Sequence, residues 1–267
     1  NLIMEMNDIF NLSGHVIVLT GASGLLGTEY AHGLCQAGAN LVLADLDYEK
    51  CKKISKHLNK LYNTSSLPIK VDVTDHNSVK NMVKQTIDKF TKIDVLVNNA
   101  IFSEVNNNKI SFEKFPLDVW QKGLDVNLNG IFLCSQECGK QMKKQKFGNI
   151  INISSIYGMV GPDQRIYGKT KIVKSAMYSV TKSAILNFTR YLAAYWAGTG
   201  IRVNTLSLGG VEENQDPIFK KNYSNKTMIG RMAKKNEYVG ALIFLSSNAS
   251  SYMTGSNLII DGGWTAW

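Results

Sequence analysis

The feature that most constrains the fold is an apolar, β-branched run that breaks into glycines and then continues with a helical period. Residues 15–27 read HVIVLTGASGLLG, with Gly21, Gly24 and Gly27 in the break. This pattern predicts a buried strand, a tight turn and a helix. A second apolar run, NLVLADLD, follows, and strands alternate with helices along the chain. We therefore expect an α/β fold: one domain over residues 1–267, with a doubly wound parallel β-sheet and helices on both faces.

The glycine turn also has a chemical use. Its backbone can approach a pyrophosphate, whose charge is met by the free N–H groups and the positive end of the next helix. Asp45 stands about 20 residues on, the offset expected of a carboxylate that accepts from an adenosine ribose. The same carboxylate would repel a 2′-phosphate, and the turn contains no arginine or lysine to offset this. The pattern predicts a dinucleotide site that takes NAD.

A tyrosine and a lysine stand four residues apart in MYSVTKSAILNFTRYLAA, which has a helical apolar period. At that spacing Tyr178 and Lys182 lie on one face of a helix. A lysine beside a phenol favours the phenolate, so we expect the pKa of Tyr178 to fall below the ordinary value of about 10. The pair is a candidate general acid/base for an alcohol or a ketone.

With these features, the chain resembles the shorter type of short-chain dehydrogenase/reductase over nearly its whole length. The matching motifs include TGASGLLG at residues 20–27, Asp72-Val73, Asn98-Asn99-Ala100, DVNLNG around Asn127, and the serine pair that ends in Ser155. The resemblance implies a Rossmann fold and an NAD(H)-dependent oxidoreductase that interconverts a secondary alcohol and a ketone.

The resemblance also implies roles for individual residues. Tyr178 would transfer the proton, Ser155 would hydrogen-bond the reacting oxygen, and Lys182 would lower the tyrosine pKa and hold the nicotinamide ribose. Asn127 would anchor a water that links Lys182 to solvent, and Asn98 would help to build the cofactor cleft. The implied cofactor-binding residues are Gly21, Ser23, Gly24, Leu26, Gly27, Asp45, Leu46, Asp72, Val73, Asn99, Ala100, Tyr178, Lys182, Gly209 and Val211.

The sequence departs from the family pattern in several places. The glycines are spaced G-x-x-G-x-x-G, Ile101 replaces a usual glycine, and Leu208 replaces a usual proline. The largest departure is an insertion at about residues 156–177. It contains a second pair, Tyr167 and Lys171, which is interrupted by Gly168 and followed by no long apolar period. We favour Tyr178 as the catalytic tyrosine and expect the second pair to be either an exposed loop or a substrate contact.

Two segments are expected to set specificity: the insertion and a polar substrate lid at about 211–231 that has few apolar anchors. Basic residues recur in both and could face an anionic substrate or could be a solvated surface. They are Arg165, Lys169, Lys171, Lys174, Lys220, Lys221, Lys226 and Arg231. The insertion motif SIYG-x-x-GPDQRIY resembles oxidoreductases of bacterial surface-sugar pathways, including those that make nonulosonic acids for flagellin glycans. That resemblance favours a sugar-derived substrate.

Composition limits the possible partners. The formal net charge is +9 in 267 residues, but no basic helix with interleaved aromatics occurs, so nucleic acid is not expected. We see no apolar run near the ~20 residues that span a bilayer and no signal peptide in the first residues, and we expect a cytoplasmic protein. The four histidines are scattered, which predicts no metal site. Cys134 and Cys138 are expected to face the core. The family resemblance implies a homo-oligomer, either a tetramer or a dimer.

Three functions fit the sequence: a sugar-type NAD-dependent dehydrogenase, a 3-oxoacyl-carrier-protein reductase that docks an acidic carrier, and a catalytically silent NAD-binding regulatory protein. Asp45 argues against the second, because such reductases commonly use NADPH. The presence of all four catalytic residues argues against the third.

Overall fold

A computed structural model describes residues 9–103, 110–168 and 174–267, and in this part of the chain seven parallel strands form one sheet. The strands are β1 Val16–Thr20, β2 Asn40–Asp45, β3 Ser66–Lys70, β4 Val95–Asn98, β5 Gly148–Ser155, β6 Ile201–Leu208 and β7 Asn257–Ile260. Their order is β3-β2-β1-β4-β5-β6-β7. The direction of the order reverses between β1 and β4, and open parallel sheets bind ligands beyond the carboxyl ends of the strands at such a point.

Helices cover both faces of the sheet. They are α1 Leu25–Gln36, α2 Tyr48–Leu61, α3 His76–Phe90, α4 Leu117–Leu124, α5 Gly130–Gln145, α6 Ala176–Tyr195, α7 Pro217–Ser224 and α8 Val239–Ser246. Successive side chains of β1 point to opposite faces: Ile17 packs in the core under α1 and α8, whereas Val18 packs in the core under α3, α5 and α6. The predicted doubly wound α/β fold is confirmed.

The helix patterns account for the two cores. Cys134 and Cys138, one turn apart on α5, are both buried in the second core, which confirms that they face inward. All four cysteines are buried free thiols. Among the helices described here, none combines the length and the apolar character needed to cross a membrane.

Candidate active site

The glycine turn connects β1 to α1 and brings the backbone of three segments close together. Gly21 has a φ of +65°, which favours glycine, and a Cβ at this position would lie 2.7 Å from the Cα of Ala100. A Cβ at Gly27 would lie 2.1 Å from the carbonyl oxygen of Gly21. Larger residues at either position would push the turn away from the sheet.

The turn opens onto a cavity of about 470 Å³ at the reversal of strand order. Gly24 is the N-cap of α1 and places no side chain on the free N–H groups of the first helical turn. The lining residues are Gly21, Ser23, Gly24, Leu25, Leu26, Gly27, Ala44, Asp45, Leu46, Val71, Asp72, Val73, Asn99, Ala100, Ile101, Val126 and Val211. Uncapped N–H groups and the positive end of a helix suit a pyrophosphate, so these residues fit a dinucleotide.

Asp45 lies at the end of β2, on the wall of the same cavity. Its Oδ2 accepts a hydrogen bond from the Ser23 N–H at 2.9 Å, and its Oδ1 accepts one from the Asp47 N–H at 3.1 Å. The carboxylate is therefore held beside the glycine turn, where it can accept from a ribose hydroxyl. Asp72 lies farther along the wall and accepts from the Thr74 N–H at 2.9 Å.

Most of the predicted cofactor-binding residues line this cavity, but three do not. Tyr178 and Lys182 lie at the carboxyl end of β5, and Gly209 borders a second cavity beside Tyr223. The lining residues that the sequence analysis missed are Leu25, Ala44, Val71, Ile101 and Val126. All five directly follow or precede predicted site residues in sequence, so the adjacent motifs were a usable signal.

Asn98 has a different role from the one expected. It is 2% exposed, and its Nδ2 donates to Ser135 Oγ at 3.1 Å and to Asn152 Oδ1 at 2.8 Å. It therefore links β4 to β5 and α5 beneath the cleft and does not line it. The neighbouring Asn99 lines the cavity and donates to the carbonyl oxygen of Gly21 at 3.1 Å.

Tyr178 lies in the first turn of α6. The Ser175 hydroxyl caps the helix by accepting from the Tyr178 N–H at 3.3 Å, and this fixes where the helix begins. Ser155 ends β5, and its hydroxyl is close enough to Tyr178 to affect the pKa of that residue. The predicted serine and tyrosine therefore meet at the carboxyl edge of the sheet.

Lys182 is 4% exposed and is tied to β5 at two points. Its Nζ donates to the carbonyl oxygen of Ile153 at 2.7 Å, and the Ser154 hydroxyl donates to the carbonyl oxygen of Lys182 at 2.8 Å. Gly158 allows this close approach, because a Cβ there would lie 2.6 Å from the Lys182 carbonyl oxygen. The Lys182 Nζ lies 5.9 Å from the centre of the Tyr178 ring.

The electrostatics of the pair differ from the expectation. Burial raises the pKa of Tyr178 above its ordinary value, and the Ser155 hydroxyl offsets this only in part. Burial, helped by the nearby positive charge of Lys174, lowers the pKa of Lys182 to about 7. The expected lowering of the Tyr178 pKa is therefore wrong for this structure, because removal of both groups from water outweighs their mutual attraction.

Asn127 occupies a π-helical turn, Asp125–Asn129, between α4 and α5. Its Oδ1 accepts from the Phe102 N–H at 2.7 Å, and its Nδ2 donates to the Phe102 carbonyl oxygen at 3.0 Å. Its Nδ2 also lies 3.5 Å from Thr181 Oγ1, one residue before Lys182. The side chain thus holds the segment that follows Asn98-Asn99-Ala100 against the catalytic helix. Such π turns recur at functional sites.

The insertion is not an exposed loop where it is described. Tyr167 is 5% exposed and stacks on Phe219 of α7 with ring centroids 5.1 Å apart. Burial raises the pKa of Tyr167 to about 12. Lys171 lies outside the described residues, so the second pair itself is not described. Tyr167 packs against the lid, in the same buried aromatic cluster that Tyr178 packs against.

The lid has more apolar anchors than its composition indicated. Tyr223 of α7 is 3% exposed, stacks on Trp264 at 4.4 Å between ring centroids, and accepts from the Gly210 N–H at 2.5 Å. Asn222 donates to the carbonyl oxygen of Ile166 in the insertion at 3.1 Å. The expectation of few anchors is wrong, because aromatic partners from distant segments meet here.

Comparisons with known proteins agree with this geometry. A family model described as enoyl-(acyl carrier protein) reductase matches residues 21–265. The chain is 32% identical over 253 residues to the post-translational flagellin modification protein A of Campylobacter coli, covering 95% of this chain and 99% of that protein. It is 30% identical to a short-chain type dehydrogenase/reductase from Mycobacterium marinum, with a TM-score of 0.85 and 97% and 98% of the two chains covered. A gluconate 5-dehydrogenase from Burkholderia cenocepacia, in complex with NADP and tartrate, gives 30% identity, a TM-score of 0.87 and coverage of 98% and 99%.

Proposed function

The chain belongs to the short-chain dehydrogenase/reductase family, and on that premise we propose that it interconverts a secondary alcohol and a ketone on a polar, anionic, sugar-derived substrate with NAD(H). One observation carries the proposal. Tyr178 lies beside Ser155 and one turn before Lys182, at the carboxyl edge of the sheet that also borders the dinucleotide-sized cavity.

Each catalytic side chain has a stated task. In the oxidising direction, the phenolate of Tyr178 takes the proton of the substrate hydroxyl; in the reducing direction, the phenol returns it to the carbonyl oxygen. Ser155 donates to the same oxygen, where negative charge develops. Lys182, with a pKa of about 7, is partly protonated at neutral pH, and its charge favours the phenolate. When bound, the nicotinamide supplies or accepts the hydride.

The choice of NAD rests on Asp45. Its carboxylate lies at the position that meets the adenosine ribose in this fold and would repel a 2′-phosphate. The Burkholderia relative is described with NADP, so cofactor preference varies among similar proteins. Tighter binding of NADPH than of NADH would contradict our choice.

Two observations favour a polar, anionic substrate. The insertion and the lid carry basic residues on the side of the sheet where Tyr178 lies. Gluconate and tartrate, named for the Burkholderia relative, are hydroxy acids, and the relative from Campylobacter coli modifies flagellin by its printed name. A 3-oxoacyl-carrier-protein reductase stays the second candidate, since a protein of that name from Aquifex aeolicus is 28% identical to this chain.

We also propose a cytoplasmic homo-oligomer, dimeric or tetrameric. Phe132 of α5 and Tyr191 and Tyr195 of α6 are exposed and border one groove, which a second copy could cover. At the carboxyl-terminal tail, Trp267 is 74% exposed, whereas Trp264 is buried within the chain. A monomer at micromolar concentration in sedimentation would contradict the oligomer.

The test of the proposed function is a nicotinamide absorbance assay with wild type, Tyr178→Phe and Tyr167→Phe. Sugar phosphates, nucleotide sugars, gluconate and simple polyols are assayed in the oxidising direction, and an acetoacetyl thioester in the reducing direction. We expect turnover of a sugar-derived compound with NAD, a loss of at least about 100-fold in Tyr178→Phe, and retained NAD binding. Tyr167→Phe, which removes a buried hydroxyl outside the reaction centre, should stay active.

Other outcomes point to the other candidates. Turnover of the thioester alone would favour a carrier-protein reductase. NAD binding without turnover, unchanged in Tyr178→Phe, would favour the silent regulatory protein.

A further inference from the structure

Lys174 lies in the last part of the insertion, immediately before Ser175, which caps α6. Its Nζ lies 3.7 Å from the centre of the Tyr178 ring, closer than the Nζ of Lys182 at 5.9 Å. A lysine over an aromatic ring is held by attraction to the face of the ring. The ammonium is therefore placed beside the tyrosine that carries the reacting proton.

The backbone of Lys174 is held as firmly as its side chain. The Lys174 N–H donates to Gln164 Oε1 at 3.1 Å, and Gln164 Nε2 donates to the Lys174 carbonyl oxygen at 2.8 Å. One amide side chain thus satisfies both backbone groups and closes the insertion on itself. Lys174 stands on a fixed support, as a residue that selects a substrate requires.

Four other described basic residues of the insertion and the lid pair with carboxylates. Arg165 and Lys226 both pair with Asp163. Lys220 pairs with Glu212 at 3.1 Å, and Arg231 pairs with Glu237 at 2.6 Å. Carboxylates therefore lie beside these four basic side chains, while the Lys174 ammonium lies over the ring of Tyr178.

We propose that Lys174 is a specificity-determining residue, whose ammonium binds an oxyanion that the substrate carries close to the carbon reacting at Tyr178. The oxyanion is a carboxylate or a phosphate. This inference rests on the proposed function and names the group that the site selects. A partly desolvated ammonium binds an oxyanion more strongly than a solvated one, because water screens the attraction less.

The field of Lys174 already reaches the catalytic lysine, since its charge contributes to the lowered pKa of Lys182. An oxyanion on Lys174 would balance that charge and raise the pKa of Lys182 towards its ordinary value. More of Lys182 would then be protonated beside Tyr178 when the correct substrate is bound. The groups that face Tyr178 include Lys174, Lys182, Ser155, Tyr157, Tyr167 and Tyr223.

The first arm of the test compares substrates that share a carbon chain: gluconate, glucitol 6-phosphate and neutral glucitol. The variants are Lys174→Gln and Lys174→Arg, with Arg165→Gln as a control that removes one positive charge from the same insertion. We expect Lys174→Gln to lower the ratio of kcat/KM for the anion to kcat/KM for glucitol by about 10- to 100-fold. Lys174→Arg should restore most of the ratio, and Arg165→Gln should leave it unchanged. The preferred anion identifies carboxylate or phosphate.

The second arm does not depend on turnover. Tartrate and inorganic phosphate are titrated by calorimetry into the full chain saturated with NAD. The Kd for the preferred anion should rise at least about 10-fold in Lys174→Gln and stay unchanged in Arg165→Gln. Turnover with a ratio that Lys174→Gln leaves unchanged would overturn the inference and leave the oxidoreductase standing. Binding that depends on Lys174 without any turnover would keep the anion site and remove the proposed function. If the protein shows no turnover and no anion binding, both the inference about Lys174 and the proposed function are overturned.

Discussion

The ammonium of Lys182 donates to the carbonyl oxygen of Ile153 at 2.7 Å and lies 5.9 Å from the centre of the Tyr178 ring. The lysine is therefore anchored to β5, and its charge acts on the tyrosine electrostatically from that position. Both groups are buried enough that each favours its neutral form.

The buried lysine should make stability depend on pH. The unfolded chain keeps the Lys182 proton up to about pH 10, whereas the folded chain loses it above about 7. The unfolded state then binds more protons between these values, so the cost of burial is full below pH 7 and fades as pH rises. In urea unfolding at pH 6, 8 and 9.5, wild type should gain stability relative to Lys182→Met by at most about 1.4 kcal/mol per pH unit above 7.

The sign of this trend is the test, because Lys182→Met also leaves the Ile153 carbonyl without its donor. Lys80→Met, at an exposed site on α3, is the control and should give a curve parallel to wild type. A difference between Lys182→Met and wild type that does not change from pH 6 to 9.5 would contradict the prediction.

The two hydrogen bonds between the Asn127 side chain and the Phe102 backbone should stabilise the folded protein. Asn127→Ala leaves the N–H and the carbonyl of Phe102 without their partners, and we expect a loss of about 1–3 kcal/mol in urea unfolding. Asn127→Asp keeps the acceptor but places a buried carboxylate against the Phe102 carbonyl oxygen, so it should cost at least as much as alanine. The control, Asn129→Ala, removes an exposed amide that donates to Asp125 and should cost under about 0.5 kcal/mol. Equal losses in the free energy of unfolding at the two positions would show that the Asn127–Phe102 hydrogen bonds stabilise the protein no more than an exposed hydrogen bond does.

Asp45 should set the choice between the cofactors. Asp45→Ser removes the negative charge at the cavity wall, and we expect Kd for NADPH to fall by about 10-fold or more while Kd for NADH rises. Fluorescence titration of both reduced cofactors measures the change. Asp72→Ser, in the same cavity but away from the glycine turn, should weaken both cofactors alike. If Asp45→Ser does not bind NADPH more tightly than wild type does, the adenosine ribose does not lie beside Asp45.

An ion pair joins the insertion to the lid, between Asp163 and Lys226. The partners Arg165 and Lys226 hold the pKa of Asp163 well below its usual range, so the pair is complete at neutral pH. Its contribution is present above the ordinary aspartate pKa of about 3.9 and is lost only as pH falls below it. Asp163→Asn reproduces that loss at pH 7.

We expect Asp163→Asn to speed trypsin cleavage at the lysines of α7 by several-fold, with a change in global stability under about 1 kcal/mol. Glu212→Gln is the matched control, since it removes an ion pair with Lys220 that does not involve the insertion. Equal cleavage of both variants would show that the insertion does not support the lid.

Local patterns were sufficient where neighbours in sequence decide the structure. The strand, turn and helix around Gly21 and the shared helical face of Tyr178 and Lys182 depend on residues a few positions apart. Parallel strands also place Asp45 and Asp72 at one edge of the sheet, so their positions followed from strand order.

The departures arose where distant segments meet. Tyr167 was expected either in an exposed loop or in contact with substrate, and the structure shows it covered by Phe219 of the lid. Asn98 was expected in the cleft, yet Asn152 and Ser135 accept its amide protons beneath it. The lid looked weakly anchored because Trp264 lies far along the chain from Tyr223.

The sequence by itself determined the α/β fold, the glycine turn with its carboxylate, and the candidate site residues, because periodicity and spacing act within one strand or helix. Only the tertiary structure decided the electrostatics of Tyr178 and Lys182, the hold of Asn127 on Phe102 and the position of Lys174 over the catalytic ring. Burial and side-chain partners depend on segments far apart in the chain, and no local pattern records them.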